Sequence, residues 1–231
     1  MDIDDVVSVL DAVSRLIGAL ALPLVVLVVF VWLGPSIKKL IDRTDELSFK
    51  GAGIEATFKQ KQAEVTGALV AASVSKATPT TPEASTREAQ TAAIAVGDAL
   101  TPGAVRRASA ARVLWVDNHP ENNVLERRAF EAAGVTIVIA KSTDAALEQV
   151  EVTSFDAIIS DLGRGLQRKA GFDLLEKLRA RGDKTPYVIY AGSAEPDLRA
   201  EAKRKGAVDA TNRPDELFRL VMNAIGTHPS R

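Results

Sequence analysis

Asp161 ends the apolar run Ala157 to Ile159 and is followed at once by a glycine-bearing basic loop. The stretch FDAIISDLGR, Phe155 to Arg164, therefore reads as a buried strand that delivers a carboxylate to the rim of a sheet. Neighbouring strand ends supply Asp117 and Asn118, then Ala191 to Ser193, then Asn212 and Arg213. Carboxylate and amide oxygens can hold Mg²⁺, a carboxylate can act as a nucleophile toward phosphorus, and a cation opposite can receive phosphoryl oxygens. The chemistry these residue types allow is Mg²⁺-dependent phosphoryl transfer onto a carboxylate. The plain alternative for an acid in this position is a cap on the following turn.

These residues need a scaffold that brings strand ends together, and the pattern after Ala111 provides one. Strands are expected at Arg112 to Val116, Val135 to Ala140, Phe155 to Ser160, Tyr187 to Ala191 and Val208 to Thr211. Helices are expected between and after them at Pro120 to Ala133, Thr143 to Val150, Gly171 to Arg181, Pro196 to Lys205 and Pro214 to Ile225. Ser142 is a candidate cap, and Gly134, Gly182 and Gly206 stand where helices should stop. Strict alternation of this kind requires an α/β fold, a doubly wound five-stranded parallel sheet with helices on both faces. In such sheets ligands sit beyond the carboxyl ends of the strands, which is where the acids fall.

The pieces VLWVDNHP, FDAIISD, TPYVIYAGS and KGAVDATNRP, in register on these units, carry a family resemblance. Residues 111–227 resemble the receiver domain of two-component response regulators, with Gly206-Ala207 and Arg213-Pro214 at the family's glycine-alanine and lysine-proline positions. The resemblance implies a flavodoxin-like receiver fold with strand order 2-1-3-4-5 and a histidine kinase as phosphoryl donor. It implies that Asp161 is the phospho-acceptor, that Asp117, Asn118 and Asp161 form the Mg²⁺ site, and that Arg213 contacts the phosphoryl group. Several positions depart from the family pattern. Asn118 replaces a second acid, Ala191 replaces the hydroxyl residue that closes on the phosphoryl group, and Ala210 replaces the switch aromatic. Ser193 and Thr211 are the nearby hydroxyls that could substitute. Arg213 keeps the charge of a lysine but is planar and bulkier. The loop from Asp161 to Gly171 is longer than the family's and carries Arg164, Arg168 and Lys169, cations that could attract an anion or simply solvate the loop.

The first half of the chain has a different texture. Residues 1–15 are acidic, and Leu16 to Leu33 then run uncharged over roughly 27 Å of helix, close to the thickness of a hydrocarbon core. This predicts one transmembrane helix over 16–34. An acidic start and the WLGPS exit argue against a cleaved signal peptide. Lys38, Lys39, Arg43 and Lys50 follow the span and only Arg15 precedes it. The expected topology is single-pass in the cell (inner) membrane, with an extracytoplasmic N-terminus and a cytoplasmic receiver domain. Residues 35–75 form a juxtamembrane segment, in which ELSFKGAGIEATF (46–58) suggests a hairpin or ordered collar and Phe58 to about Ser75 could form a helix. Gly51, Gly53 and Ala56 match a dinucleotide-binding pattern but lack the βαβ unit that gives it meaning. Residues 76–110, rich in Ala, Thr, Pro and Ser, read as a flexible linker with a transient helix around Arg87 to Leu100, and 228–231 as a tail.

Composition excludes several classes. The chain has 231 residues, no Cys, two His, and a formal charge of -1. Disulfides and thiolate metal sites are ruled out, zinc has few ligands, and nothing in the charge favours nucleic acid. No phosphate-cradling glycine loop or base-activated nucleophile suggests an enzyme, so no catalytic residue is assigned. Two readings stay open. One is a membrane-anchored receiver-like signalling module, phosphorylated on Asp161 and acting through protein contacts, with room for a homo-oligomer. The alternative is a non-phosphorylated pseudo-receiver that serves as sensor or binding part of a membrane effector in stress or phage defence.

Overall fold

The computed structural model of the chain describes residues 52–77 and 81–227. The strands are β1 (Arg112–Val116), β2 (Thr136–Ala140), β3 (Ala157–Ser160), β4 (Tyr187–Tyr190) and β5 (Asp209–Thr211), which form one sheet in the order β2-β1-β3-β4-β5. All pairs are parallel. The order matches the expected 2-1-3-4-5, and the ends of the expected elements shift by at most a few residues. Helices α1 (Ala52–Ala77), α2 (Pro82–Ala99) and α3 (Pro102–Ala108) precede the sheet. A 3-10 turn (Pro120–Asn123) leads into α4 (Val124–Ala133), followed by α5 (Thr143–Val152), α6 (Ala170–Ala180), α7 (Pro196–Arg204) and α8 (Pro214–Thr227).

Side chains alternate across a strand, so each central strand buries both faces. Val113, Trp115, Ala157, Ile159, Val188 and Tyr190 meet Phe130 of α4 and Leu217, Phe218 and Val221 of α8 on one side. Leu114, Val116, Ile158, Tyr187 and Ile189 meet Leu147 of α5, Phe172, Leu175 and Leu178 of α6 and Ala202 of α7 on the other. Burial on both faces explains why these strands read as apolar runs rather than alternating ones.

The flexible linker expected over 76–110 is a correction. Its described residues are largely helical, and they extend the first of these two cores. Thr81 accepts the Ala84 N–H at 3.2 Å with Pro82 beginning α2. Thr101 repeats the arrangement with Ala104 at 3.2 Å and Pro102. Each Thr-Pro pair is thus a capped helix start, because proline at the first helical position sacrifices no hydrogen bond. Val65 and Leu69 of α1 and Ala92 and Val96 of α2 are buried in the same cluster as Trp115, Phe130 and Phe218. The segment lacks enough apolar surface to order by itself, and α1 and α8 supply the rest.

Residues 52–58 belong to α1, so this part of the expected hairpin is helical, and the helix expected from Phe58 is present and longer. Residues 46–51 of the hairpin, the transmembrane span over 16–34 and the tail 228–231 lie outside the described residues. Among the described residues, no helix is long and apolar enough to cross a membrane.

Candidate functional site

Parallel pairing brings three strand ends level. The Asp117 N–H reaches the Ala140 carbonyl at 2.9 Å, that of Asp161 reaches Val116 at 2.9 Å, and that of Ala191 reaches Thr211 at 3.0 Å. Beyond this edge lies an open crevice of about 460 Å³, lined among others by Asp117, Asn118, Asp161, Ala191, Asn212 and Lys76. The acids expected at the rim are therefore gathered in one place. Ser193 lines an adjoining depression that also includes Asp161, but it is exposed and its hydroxyl lies 3.4 Å from Glu195 Oε1. Thr211 is buried and committed elsewhere, donating to Glu216 at 2.7 Å and accepting the Arg213 N–H at 3.0 Å.

Arg213 folds back on its own helix start. Its Nε lies 3.2 Å from Asp215 Oδ1 and its Nη2 3.0 Å from Oδ2, a forked pair. This pairing raises its pKa further and engages the guanidinium next to the crevice rather than in it. Its neighbour Asn212 is the residue of that loop that lines the space.

The carboxylates are held differently. Asp117 is buried, with Oδ1 accepting the His119 N–H at 2.7 Å and Oδ2 accepting Asn123 Nδ2 at 2.5 Å. Asp161 is half-buried; burial raises its pKa above the ordinary value, and the nearby Asp117 charge adds to the effect. The Leu162 and Gly163 N–H groups and Arg164 oppose the rise without cancelling it. Two carboxylates at close quarters gain from a cation between them. Together with the Asn118 amide they suit Mg²⁺, which commonly takes one or two carboxylates and keeps several waters. Among the described residues no group of three or more His, Cys, Asp or Glu could hold a metal, so the donor set is sparse.

Two cations take roles that the sequence does not announce. Arg164 is not a loop-surface charge: it is 7% exposed and donates to Ser160 Oγ (2.7 Å), Asp161 O (2.9 Å), Thr143 Oγ1 (2.9 Å) and Ala170 O (2.8 Å). It pins the loop after Asp161, while Lys169 pairs with Glu201 at 3.0 Å. Lys76 comes from the end of α1, with its ammonium 2.9 Å from Asn123 Oδ1, 3.6 Å from Glu126 Oε1 and 5.6 Å from the centre of the Tyr190 ring. Glu126 is 2% exposed and also accepts the Tyr190 hydroxyl at 2.9 Å. An acid on the apolar stripe that holds Ala129, Phe130 and Ala133 was the available signal for Glu126. Lys76 had none, since its partners lie far along the chain.

Residues 113–222 match the response regulator receiver domain family. Over 100 residues the chain is 29% identical to the transcriptional regulatory protein FixJ of Bradyrhizobium diazoefficiens, a match covering 42% of this chain and 47% of that protein. It is 26% identical over 110 residues to the nitrogen assimilation regulatory protein NtrX of Azorhizobium caulinodans, covering 48% and 24% respectively. The matches thus span less than half the length of these relatives. Among solved structures, the receiver domain of Francisella response regulator 1452 is similar at TM-score 0.46 and 24% identity, covering 50% of this chain and 97% of that one. The chemotaxis response regulator CheY4 of Vibrio cholerae is similar at 0.44 and 24%, covering 49% and 98%. The family match covers just under half of the chain.

Proposed function

We propose that the chain is a membrane-anchored signalling module whose receiver domain accepts a phosphoryl group on Asp161 from a histidine kinase. The observation that carries this reading is the pairing of Asp161 with Asp117 on one crevice at the carboxyl edge of the sheet. An Asp161 oxygen attacks phosphorus as the bond from phosphorus to the donor imidazole breaks; the imidazole keeps the electron pair and takes a proton from solvent. Mg²⁺ held by Asp117, Asp161 and Asn118 would neutralise charge on the phosphoryl oxygens. The domain's own residues hold the acceptor: Gly171 and Arg164 fix the backbone on either side of the loop, and Asp117 sets the local field. Leu16 to Leu33 anchor the module in the cell (inner) membrane with the receiver on the cytoplasmic side, and its output is by contact with other signalling proteins or copies of itself.

The test is incubation of the full chain, in detergent micelles, with Mg²⁺ and acetyl phosphate, followed by mass spectrometry. A labile adduct on Asp161, lost in Asp161→Asn, is expected; no adduct on the native chain would sink the proposal.

A second reading is favoured by specific departures. Ala191 has no hydroxyl, Arg213 is forked onto Asp215, and Ala210 is a buried alanine. These fit a pseudo-receiver that binds a partner without being phosphorylated, as part of a membrane effector in stress or phage defence. Under this reading induced expression is toxic, and deletion of residues 1–34 abolishes the toxicity in native and Asp161→Asn chains alike.

A further inference from the structure

We infer that Lys76, from a helix outside the receiver domain, supplies the cation for a phosphoryl group on Asp161, so that phosphorylation and the docking of α1 are coupled. The inference rests on the reading of Asp161 as acceptor and extends it to a residue that the match to residues 113–222 leaves out.

The crevice needs a cation and its expected one is engaged. Arg213 gives both arms of its fork to Asp215. Lys76 lines the crevice that Asp117 and Asp161 also line. Its ammonium is tied to the acids through Asn123, which accepts from Lys76 at 2.9 Å and donates to Asp117 at 2.5 Å. A lysine is suited to this task, because its ammonium has three donors on a flexible stem and can swing to a new oxygen without leaving the site. Its side chain is 37% exposed, so it retains room to move.

The same ammonium helps to hold α1 in place. Glu126 is buried on α4, and Lys76 is the cation that faces it, 3.6 Å away. Removing α1 would leave that carboxylate with the Tyr190 hydroxyl as its partner among the described residues. The docked helix also carries Ser73, whose buried hydroxyl has no hydrogen-bond partner among the described residues. An unpaired buried hydroxyl opposes docking, while the buried Val65, Leu69 and Ala72 favour it, and what Lys76 gains adds to that balance. Phosphorylation of Asp161 adds roughly one negative charge and new acceptor oxygens to the crevice. That charge draws Lys76 inward and holds α1 more firmly against α4. By linkage, whatever pulls α1 away weakens the phosphorylated state by the same factor.

The experiment uses the full chain in detergent micelles with Mg²⁺ and acetyl phosphate. It reads the adduct on Asp161 by mass spectrometry and amide hydrogen exchange in residues 52–77. The native chain should form the adduct and then exchange several-fold more slowly in α1. Lys76→Gln should lower adduct occupancy about tenfold, as loss of one charge-assisted hydrogen bond requires, and Lys76→Arg should restore much of it. Equal adduct on native and Lys76→Gln chains, or native α1 exchange unchanged by the adduct, overturns the inference and leaves the acceptor reading intact. No adduct on any chain overturns the acceptor reading, and this inference with it. If Lys76→Gln frees α1 outright, seen as rapid exchange before any adduct, the native chain's response alone decides.

Discussion

Gly171 lies so close to Asp161 that a Cβ placed on it would fall 2.6 Å from the Asp161 carbonyl oxygen and 3.0 Å from Leu162 Cα. Its N–H also donates to the Leu162 carbonyl at 2.8 Å, so the start of α6 is laced to the loop that carries the acceptor. The neighbours in the way are backbone atoms, which cannot rotate aside. Gly171→Ala should therefore destabilise the domain by about 1–3 kcal/mol, as overpacking does. It should also move Asp161 out of line with Asp117. Urea denaturation checks the first effect and the adduct assay the second; a stable Gly171→Ala chain with native adduct yield would contradict both.

Arg164 serves the same loop from the other side. Burial lowers its pKa, an effect that Tyr187, Asp161 and Asp117 counter. Arg164→Ala would strand the Ala170 carbonyl and the other acceptors in a site with little access to water. The expected loss is about 3 kcal/mol, from several buried groups left unpaired. Arg164→Lys should recover little, because an ammonium cannot span Ser160, Thr143 and Ala170 as a guanidinium does. Thermal denaturation of the variants, together with limited proteolysis at the exposed loop tip around Leu166, tests this. An Arg164→Lys chain as stable as the native one would show that charge, not geometry, is what matters there.

The strands and their terminal acids were legible because the signal is local: an apolar run, then Asp117 or Asp161, repeated at intervals that fit helices. Arg164 was illegible because its burial depends on Thr143 and Ala170, which only the fold brings near. Arg213 occupies a lysine position in the motif KGAVDATNRP, yet the nearby Asp215 captures it, and residue type alone does not choose between two anions. Residues 81–108 misread for another reason. Their threonines and prolines mark turns and unstructured chain as readily as helix starts, and small residues such as Ala92 and Ala95 give weak periodicity. The apolar partners that order them lie in α1 and α8.

That shared core yields a stability prediction. Leu69 of α1 is 1% exposed and belongs to the cluster that contains Phe130, Trp115 and Phe218. Leu69→Ala should cost about 2–5 kcal/mol, the range for a buried leucine. The change should shift the unfolding of the α/β domain itself, observed through Trp115 fluorescence, because α1 and the sheet share one core. A Trp115 transition that stays at its native midpoint would mean that α1 is an independent unit.

The raised pKa of Asp161 fixes the sign of a pH effect. Below its ordinary value of 3.8 the group is protonated whether the chain is folded or not, and it contributes nothing. As pH rises above that value the unfolded chain gives up this proton first, so folding becomes less favourable until the raised folded pKa is passed. Above it the penalty is complete and constant. Asp161→Asn removes the ionisation while keeping an oxygen to accept the Leu162 and Gly163 N–H groups. The variant should therefore be more stable than the native chain at neutral pH, and its advantage should shrink as pH falls toward 3.8. Paired urea titrations across that range check the sign. An advantage that grows as pH falls would mean that the folded state favours ionised Asp161, with a cation already beside it in the resting chain.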